Sequence, residues 1–237
     1  MQKAATLLAL LCIAAFAQQK GTFTDTRDGK TYKTTKIGEQ VWMAENLNYE
    51  ASGSKCYGEG GIVFGEDYDE ITLSSSEIQA NCKKYGRLYN WATAMDIDKR
   101  FNKKEWNGSD VKHQGVCPNG WHLPSNAEWG KLYRYADGDK GTKSFYKSET
   151  AGKYLKSISG WNESGNGTDK FGFSALPGGV GDPNGSFDDV GYEVFWWSAS
   201  EYDSDGAYSR YMSYDIELAY WAFSVKSGLY SVRCVGD

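Results

Sequence analysis

The apolar pattern over residues 21–47 is typical of short strands joined by tight turns. Strand-like runs at residues 23–26 and 31–37 flank Asp28-Gly29, a dipeptide common in hairpin turns. Gly38-Glu39 predicts a second turn, and residues 41–43 predict the strand that follows it. The chain therefore begins its fold as antiparallel β structure.

Helical spacing is confined to the middle of the chain. It predicts helices over residues 77–85, 88–95 and 149–158. Ser125-Asn126-Ala127-Glu128, preceded by Pro124, is a capping box, which predicts a further helix that ends near Ala136. Residues 50–76 are rich in Gly and Ser and residues 96–114 are charged, so we expect a long loop in each.

From residue 171 onward, short aromatic segments alternate with Gly, Asp, Asn and Ser. They predict strands at residues 171–175, 194–198, 208–214, 219–225 and 230–235. A helical middle enclosed by β structure predicts an α+β fold with antiparallel sheets, two to four short helices and long loops. No internal repeat or linker divides it.

Residues 1–17 have the features of a signal peptide. Lys3 precedes an apolar run from residue 4 to residue 14, and Ala15-Phe16-Ala17 supplies a small-residue cleavage site. The run is shorter than the roughly 20 residues needed to span a bilayer. Leu11 disfavours a lipoprotein cleavage site at Cys12. We therefore predict an exported protein of the periplasm, cell surface or medium, with one domain over residues 18–237.

The composition excludes some classes of partner. The net charge is −5 and the basic residues are not clustered, which argues against nucleic-acid binding. No second apolar stretch could cross a membrane. Only two His residues are present, so a His-rich metal site is not expected. Aromatic residues make up 15% of the chain, with 9 Trp and 17 Tyr.

Four cysteines remain after the predicted cleavage, and four cysteines allow three pairings. An even number in an exported chain predicts two disulfides. Cys56 and Cys82 enclose a loop-rich stretch, and Cys117 and Cys234 would close a long loop. We predict the pairs Cys56–Cys82 and Cys117–Cys234.

Motifs for catalysis or for a resident metal are incomplete. An EF-hand aligned on Gly206 has Met212 where a bidentate carboxylate is needed. No nucleophile elbow is present, and paired cysteines leave no Cys–His nucleophile. We therefore predict no enzymatic activity and no cofactor, and calcium has no complete motif. A looser calcium site remains an alternative to surface turns at Asp182, Asp188, Asp189, Asp203 and Asp205.

Several motifs carry a resemblance to a known family. They are Asp28-Gly29-Lys30-Thr31-Tyr32, IGEQVWMAENL at 37–47, YGRLYNW at 85–91, CPNGWHLPS at 117–125 with Glu128-Trp129, Leu176-Pro177-Gly178-Gly179, Trp196-Trp197-Ser198 and SVRCV at 231–235. Over about residues 22–236 the chain resembles the Fibrobacter succinogenes major paralogous domain (FISUMP) family. The resemblance implies an exported bacterial protein and a fold, and it implies no activity.

A more distant similarity concerns the fold. Gly120-Trp121-His122-Leu123-Pro124-Ser125 with Glu128-Trp129 is similar to a signature of the formylglycine-generating (sulfatase-modifying) enzymes, and Val232-Arg233-Cys234 resembles their last core strand. This similarity implies a C-type-lectin-like fold, in which a Cys117–Cys234 disulfide would also fit. The oxidases of that family need a reactive cysteine pair, whereas here Cys234 is the only cysteine after Cys117. Asp182-Pro183-Asn184 resembles a lectin sugar triplet without its Trp-Asn-Asp, and predicts a turn.

Aromatic residues crowd the C-terminal strands. Neighbours on a strand point to opposite faces, so we expect one of Trp196 and Trp197 in the core and the other nearer the surface or under a loop. The same alternation separates Tyr220 from Trp221. The candidate ligand-binding residues are Trp196, Trp197, Tyr202, Tyr220 and Trp221. The alternative is that these rings only fill a core. We expect Arg210 and Arg233 to pair with acidic turn residues.

These observations favour an exported, non-catalytic binding or adhesion domain with plant cell-wall polysaccharide as its ligand. One alternative is a structural or protein-interaction domain of the cell envelope. Another is a divergent sulfatase-modifying-type enzyme.

Overall fold

The computed structural model describes residues 19–65, 69–138 and 147–237. The predicted signal peptide lies outside these ranges. The helices of the described residues are α1 Ser75–Tyr85, α2 Trp91–Met95, α3 Asn126–Ala136 and α4 Ala151–Leu155, with a 3₁₀-helix at Lys99–Asn102. The strands are β1 Lys20–Thr24, β2 Thr31–Ile37, β3 Gln40–Met43, β4 Val63–Phe64, β5 Glu70–Ile71, β6 Leu88–Tyr89, β7 Trp121–His122, β8 Lys147–Ser148, β9 Gly178–Gly181, β10 Phe187–Val190, β11 Glu193–Glu201, β12 Gly206–Ser213, β13 Ala219–Val225, β14 Tyr230–Ser231 and β15 Val235–Gly236.

The smaller sheet joins the two ends of the described chain. Its strand order is β1-β2-β3-β15-β7, and all its pairings are antiparallel. The β1–β2 hairpin turns at Gly29, whose φ of +75° favours glycine. β15 lies between β3 and β7, with Val235 opposite both Trp42 and His122. The predicted N-terminal strands are therefore present.

The larger sheet has the order β5-β4-β10-β9-β11-β12-β13-β8, and β14 pairs with both β11 and β6. Its centre is the antiparallel set β11-β12-β13. β11 also pairs in parallel with β9 and β14, so the sheet is mixed. With four short helices in the described residues, the architecture is consistent with the expected α+β class.

The core lies on both sides of β11. On one side, Trp196 packs with Trp42, Trp129 and Phe173, and Trp129 contacts Trp196 with ring centroids 5.9 Å apart. On the other side, Trp197 belongs to a second buried cluster that includes Trp91. Both indoles of the Trp196-Trp197 pair are 0% exposed. The expectation that one would lie nearer the surface is corrected, because both faces of this strand are covered.

Both predicted disulfides are confirmed. Cys56 is bonded to Cys82, and Cys117 is bonded to Cys234. Cys117 and Cys234 are completely buried. The bridges are compatible with export. Among the described helices, none is long and apolar enough to cross a membrane.

Some element predictions are wrong because tertiary pairing overrides local spacing. Leu88–Tyr89 is strand β6, which pairs with β14, and Asn90 caps a shorter helix by accepting a hydrogen bond from the Thr93 amide. Residues 171–175 turn instead of extending, since Gly172 and Ser174 have positive φ and Asp169 accepts two hydrogen bonds from Ser174. The single strand predicted over residues 230–235 is instead two short strands, β14 and β15, which belong to different sheets.

The predicted capping box of α3 is confirmed, and its Glu128 also forms a partly buried ion pair with His122. Glu128 accepts from the backbone amide and the hydroxyl of Ser125 through one oxygen. Its other oxygen lies 2.8 Å from His122 Nε2, and His122 Nδ1 lies 2.7 Å from Asp237 Oδ1. Burial opposes protonation of His122, but the two carboxylates outweigh it, and the pKa of His122 is raised above its usual 6.5.

The contacts of His122 with Glu128 and Asp237 predict that the stability of the fold depends on pH. The raised pKa of His122 means that its stabilising contribution is complete below pH 6.5 and is lost as the pH rises through the folded-state pKa. The lowered pKa of Glu128 gives a contribution present above pH 4.5 and lost as the pH falls through its folded-state pKa. We expect His122→Gln to abolish the decline of unfolding free energy as the pH rises above 6.5 in urea titrations.

The control for this prediction is His113→Gln. The His113 ring hydrogen-bonds to the Met95 carbonyl and not to a carboxylate. The decline should therefore persist in His113→Gln, and an unchanged decline in His122→Gln would contradict the assignment.

Candidate functional site

Four aromatic side chains form a continuous strip at one end of the β12–β13 pair. We define the aromatic strip as Tyr202, Tyr208, Trp221 and Phe223. Ring centroids are 5.3 Å apart for Trp221–Tyr208, 5.4 Å for Tyr208–Tyr202 and 4.9 Å for Tyr202–Phe223. Each ring therefore touches the next, and the strip is one surface.

The strand register explains why Tyr208, Trp221 and Phe223 share a face, and Tyr202 joins them through its ring contacts. Tyr208 is opposite Phe223, and Arg210 is opposite Trp221, so the side chains two apart on each strand lie together. Further along the same face, helix α3 covers the sheet, and Arg210 there donates to the carbonyl of Asn126. The strip is thus the part of this sheet face that α3 leaves uncovered.

The strip is accessible. Tyr202 is 54% exposed and Phe223 is 47% exposed, while Tyr208 and Trp221 are half-buried. A Cβ atom at Gly206 would come within 1.9 Å of the Phe223 ring, so the glycine lets this ring lie against the strand. Asp203 accepts hydrogen bonds from the amides of Asp205 and Gly206, which holds the turn next to Tyr202.

The predicted site residues separate into three groups. Tyr202 and Trp221 belong to the aromatic strip. Tyr220 lies on the opposite face, where its ring is 6.3 Å from that of Tyr211. Trp196 and Trp197 are fully buried and offer no ring surface from outside. The separation of Tyr220 from Trp221 by strand alternation is confirmed.

Sequence reasoning missed Phe223 and did not select Tyr208. Both follow from the same alternation: Phe223 is two residues after Trp221 on β13, and Tyr208 lies opposite Phe223. The alternation of side chains along a strand could therefore have identified Phe223 from Trp221. The pairing of the strands was not available from the sequence.

A concave region, the acidic cleft, lies beside β10 and the start of β11. It encloses about 710 Å³ and its lining includes Tyr57, Phe64, Tyr192, Tyr214, Glu77, Glu163, Asp188, Asp189 and Glu193. Burial, together with neighbouring carboxylates, raises the pKa of Asp188, Asp189 and Glu193. These carboxyl groups therefore hold protons more tightly than free ones.

The carboxylates suggested for calcium do not form a metal-binding group. Within residues 19–65, 69–138 and 147–237, no three His, Cys, Asp or Glu side chains are arranged to hold a metal ion. Asp203 caps the turn before β12. Asp182 begins another, in which its carbonyl accepts from the Gly185 amide, so the predicted turn at Asp182-Pro183-Asn184 is present.

Arg210 and Arg233 are both buried and, contrary to expectation, neither is paired with an acidic residue in the part of the chain that the structure describes. Arg233 donates to Asn46 Oδ1 at 3.0 Å from Nε and 2.6 Å from Nη2, and also to the Phe173 carbonyl. Arg210 donates to the carbonyls of Ser209 and Asn126. Burial lowers the pKa of Arg233 to about 9 and that of Arg210 to about 10. Their partners are neutral acceptors.

A model of the Fibrobacter succinogenes major domain matches residues 35–236. The chain belongs to the Fibrobacter succinogenes major domain family. The match includes the aromatic strip, the acidic cleft and both disulfides. No curated protein and no solved structure matches the chain.

Proposed function

We propose that this member of the Fibrobacter succinogenes major domain family is an exported, non-catalytic domain that binds polysaccharide. The observation that carries the proposal is the aromatic strip, four touching rings at one end of the β12–β13 pair with two rings about half exposed. Insoluble plant cell-wall polysaccharide is the preferred ligand.

The chemistry of the strip suits a sugar chain. Pyranose rings present faces of C–H groups, which pack on aromatic rings while their hydroxyl groups stay in water. An extended apolar surface is otherwise costly to leave in water, and such surfaces mark interaction sites. Three of the four rings lie on the paired strands β12 and β13, and Tyr202 lies beside a hydrogen-bonded turn, so little conformational entropy is lost when a ligand binds the strip.

The fold supports a lectin-like comparison as part of the proposal. The Cys117–Cys234 bridge links the segment just before β7 to the segment just before β15, in the same manner as the disulfide expected in a C-type-lectin-like domain. Export is supported by the predicted leader and by the two bridges. All four cysteines of the described residues are in bridges, which favours binding over thiol-dependent catalysis.

Polysaccharide binding is tested with Tyr202→Ala and Phe223→Ala, which remove the most exposed rings. We expect each to weaken retention on insoluble cellulose or xylan about ten-fold, since an aromatic contact contributes on the order of 1–1.5 kcal/mol. Tyr220→Ala is the matched control, because this half-buried ring lies on the opposite face. Depletion isotherms give the affinities, and thermal melts confirm folding.

Two outcomes would overturn the proposal. One is retention of the wild-type protein no greater than that of a denatured sample. The other is equal binding by all three variants. If the strip variants instead lose binding to an envelope protein and not to polysaccharide, the interaction-domain alternative replaces it.

A further inference from the structure

A pocket separate from the acidic cleft, here called the basic pocket, lies between the β2–β3 hairpin and the last turn of α1. It encloses about 590 Å³, within the range of small-ligand sites. Six basic residues line it, namely Lys30, Lys33, Lys83, Lys84, Arg87 and Arg233. Glu45 is the one acidic residue among the described lining residues. This local excess of positive charge stands in a chain of net charge −5.

Three of the six basic residues have an acidic partner. Lys30 lies 3.2 Å from Asp28. Lys33 lies 3.8 Å from Glu45, and Arg87 lies 3.3 Å from Glu59. Each of these pairs brings its own negative charge, so they add little to the field in the pocket.

The other three basic residues form no ion pair within the described part of the chain. Lys83 and Lys84 lie in the last turn of α1, and the Lys84 ammonium is 4.6 Å from the centre of the Tyr85 ring. Arg233 is only 1% exposed. Its guanidinium lies 4.2 Å over the Phe173 ring. Three of its N–H groups donate hydrogen bonds, two to Asn46 Oδ1 and one to the Phe173 carbonyl. A guanidinium has five N–H donors, so donors remain.

The walls of the pocket are held rigidly. The Cys56–Cys82 bridge contributes both of its residues to the lining. Arg87 packs beside this bridge, donating to Ser54 Oγ at 2.9 Å. Asn46, which orients Arg233, also donates to the Tyr85 carbonyl at 2.8 Å and so ties the hairpin side to α1. A preformed site of this kind orders few groups on binding.

We propose that the basic pocket binds the oxyanion of an acidic saccharide, a carboxylate or sulfate group carried on a sugar residue. The proposal rests on the proposed polysaccharide-binding function and names a ligand class for a site separate from the aromatic strip. A guanidinium with two lysines is a favourable set for a multi-oxygen anion. The overall negative charge disfavours a nucleic acid as the source of that anion.

Calorimetry with three soluble ligands tests this: oligogalacturonate, a sulfated galactan oligosaccharide and a neutral cello-oligosaccharide. We expect at least one acidic ligand to bind at least ten-fold more tightly than the neutral one. The two acidic ligands distinguish carboxylate from sulfate. Lys83→Gln/Lys84→Gln should weaken the acidic ligand about ten-fold, because it removes two of the three unpaired charges. Binding should also weaken as salt is raised.

The matched control is Lys36→Gln. Lys36 is exposed on the same hairpin as Lys33 but is not part of the lining, so this change alters the net charge without changing the pocket. It should change the affinity less than two-fold. Because substituting Arg233 risks the fold, its role is followed in the wild-type protein, where the ¹⁵N resonance of its Nε–H should shift on titration.

Equal affinity for acidic and neutral ligands, or equal losses in Lys36→Gln and the double variant, would overturn the proposal. Binding of inorganic sulfate or phosphate with no binding of either acidic saccharide would also overturn it. The aromatic strip shares no lining residue with the pocket, so Phe223→Ala should retain the acidic ligand. Acidic-ligand binding without retention on insoluble polysaccharide would overturn the function proposed for the strip and leave the pocket standing.

Discussion

Replacing Cys117 and Cys234 together by alanine is expected to lower the free energy of unfolding by about 5 kcal/mol. The bridge joins residues 117 positions apart, so the unfolded chain regains a large loop when the bridge is absent. Both cysteines are 0% exposed and belong to the core cluster around Trp197. Their removal therefore leaves a small cavity as well, which lowers the stability of the folded state further.

The Cys56→Ala/Cys82→Ala variant is the comparison. Its bridge spans 26 positions, for which loop entropy predicts a smaller loss of about 3.5 kcal/mol. Urea unfolding of both variants and of the oxidised wild-type protein gives the two losses directly. If the shorter bridge contributes as much as the longer one, loop entropy is not the main source of the stability of these bridges.

Asn46→Ala is expected to cost about 3–5 kcal/mol, because it leaves a buried guanidinium without its main acceptor. Asn46 Oδ1 accepts from Arg233 and, at 2.8 Å, from the indole of Trp196. Its Nδ2 donates to Tyr85 and to Ser231. A single side chain thus satisfies buried polar groups from α1, β11, β14 and the segment before β15.

Asn48→Ala is the control for this prediction. Asn48 is half-buried two residues away, and within the described structure its side chain makes no hydrogen bond. We expect its substitution to change the unfolding free energy by less than about 1 kcal/mol. Similar losses for Asn46→Ala and Asn48→Ala in urea titrations would show that burial of this segment, and not the hydrogen bonds to Arg233, stabilises it.

The prediction for Arg233 is wrong about its hydrogen-bond partner, although the residue itself proved to be structurally important. The sequence predicts that Arg233 pairs with acidic turn residues, which is an ordinary arrangement for an arginine at a surface. In the fold, β14 and β15 bring Arg233 beneath Phe173 and Trp196, and the acceptor is Asn46, 187 positions away. A contact of that separation leaves no local pattern in the sequence.

The aromatic residues of the larger sheet show that strand alternation predicts which side chains share a face but not which of them are exposed. Period-two alternation correctly separated Tyr220 from Trp221. It could not tell that both faces of β11 are covered, so Trp196 and Trp197 were retained as candidates although both are buried. Accessibility depends on what packs over a strand, and α3 and the segment around Trp91 do so here.

The sequence by itself determined the features that depend on a few neighbouring residues. The hairpin turn at Asp28-Gly29 and the capping box at Ser125 and Glu128 depend on backbone preferences within one turn of chain. The family motifs and the correct cysteine pairs were also accessible from the sequence. Only the tertiary structure decided which aromatic rings are exposed in one strip and which basic residues face one pocket. Both outcomes depend on strand order and on contacts between distant segments, which the alternation of apolar and polar residues does not specify.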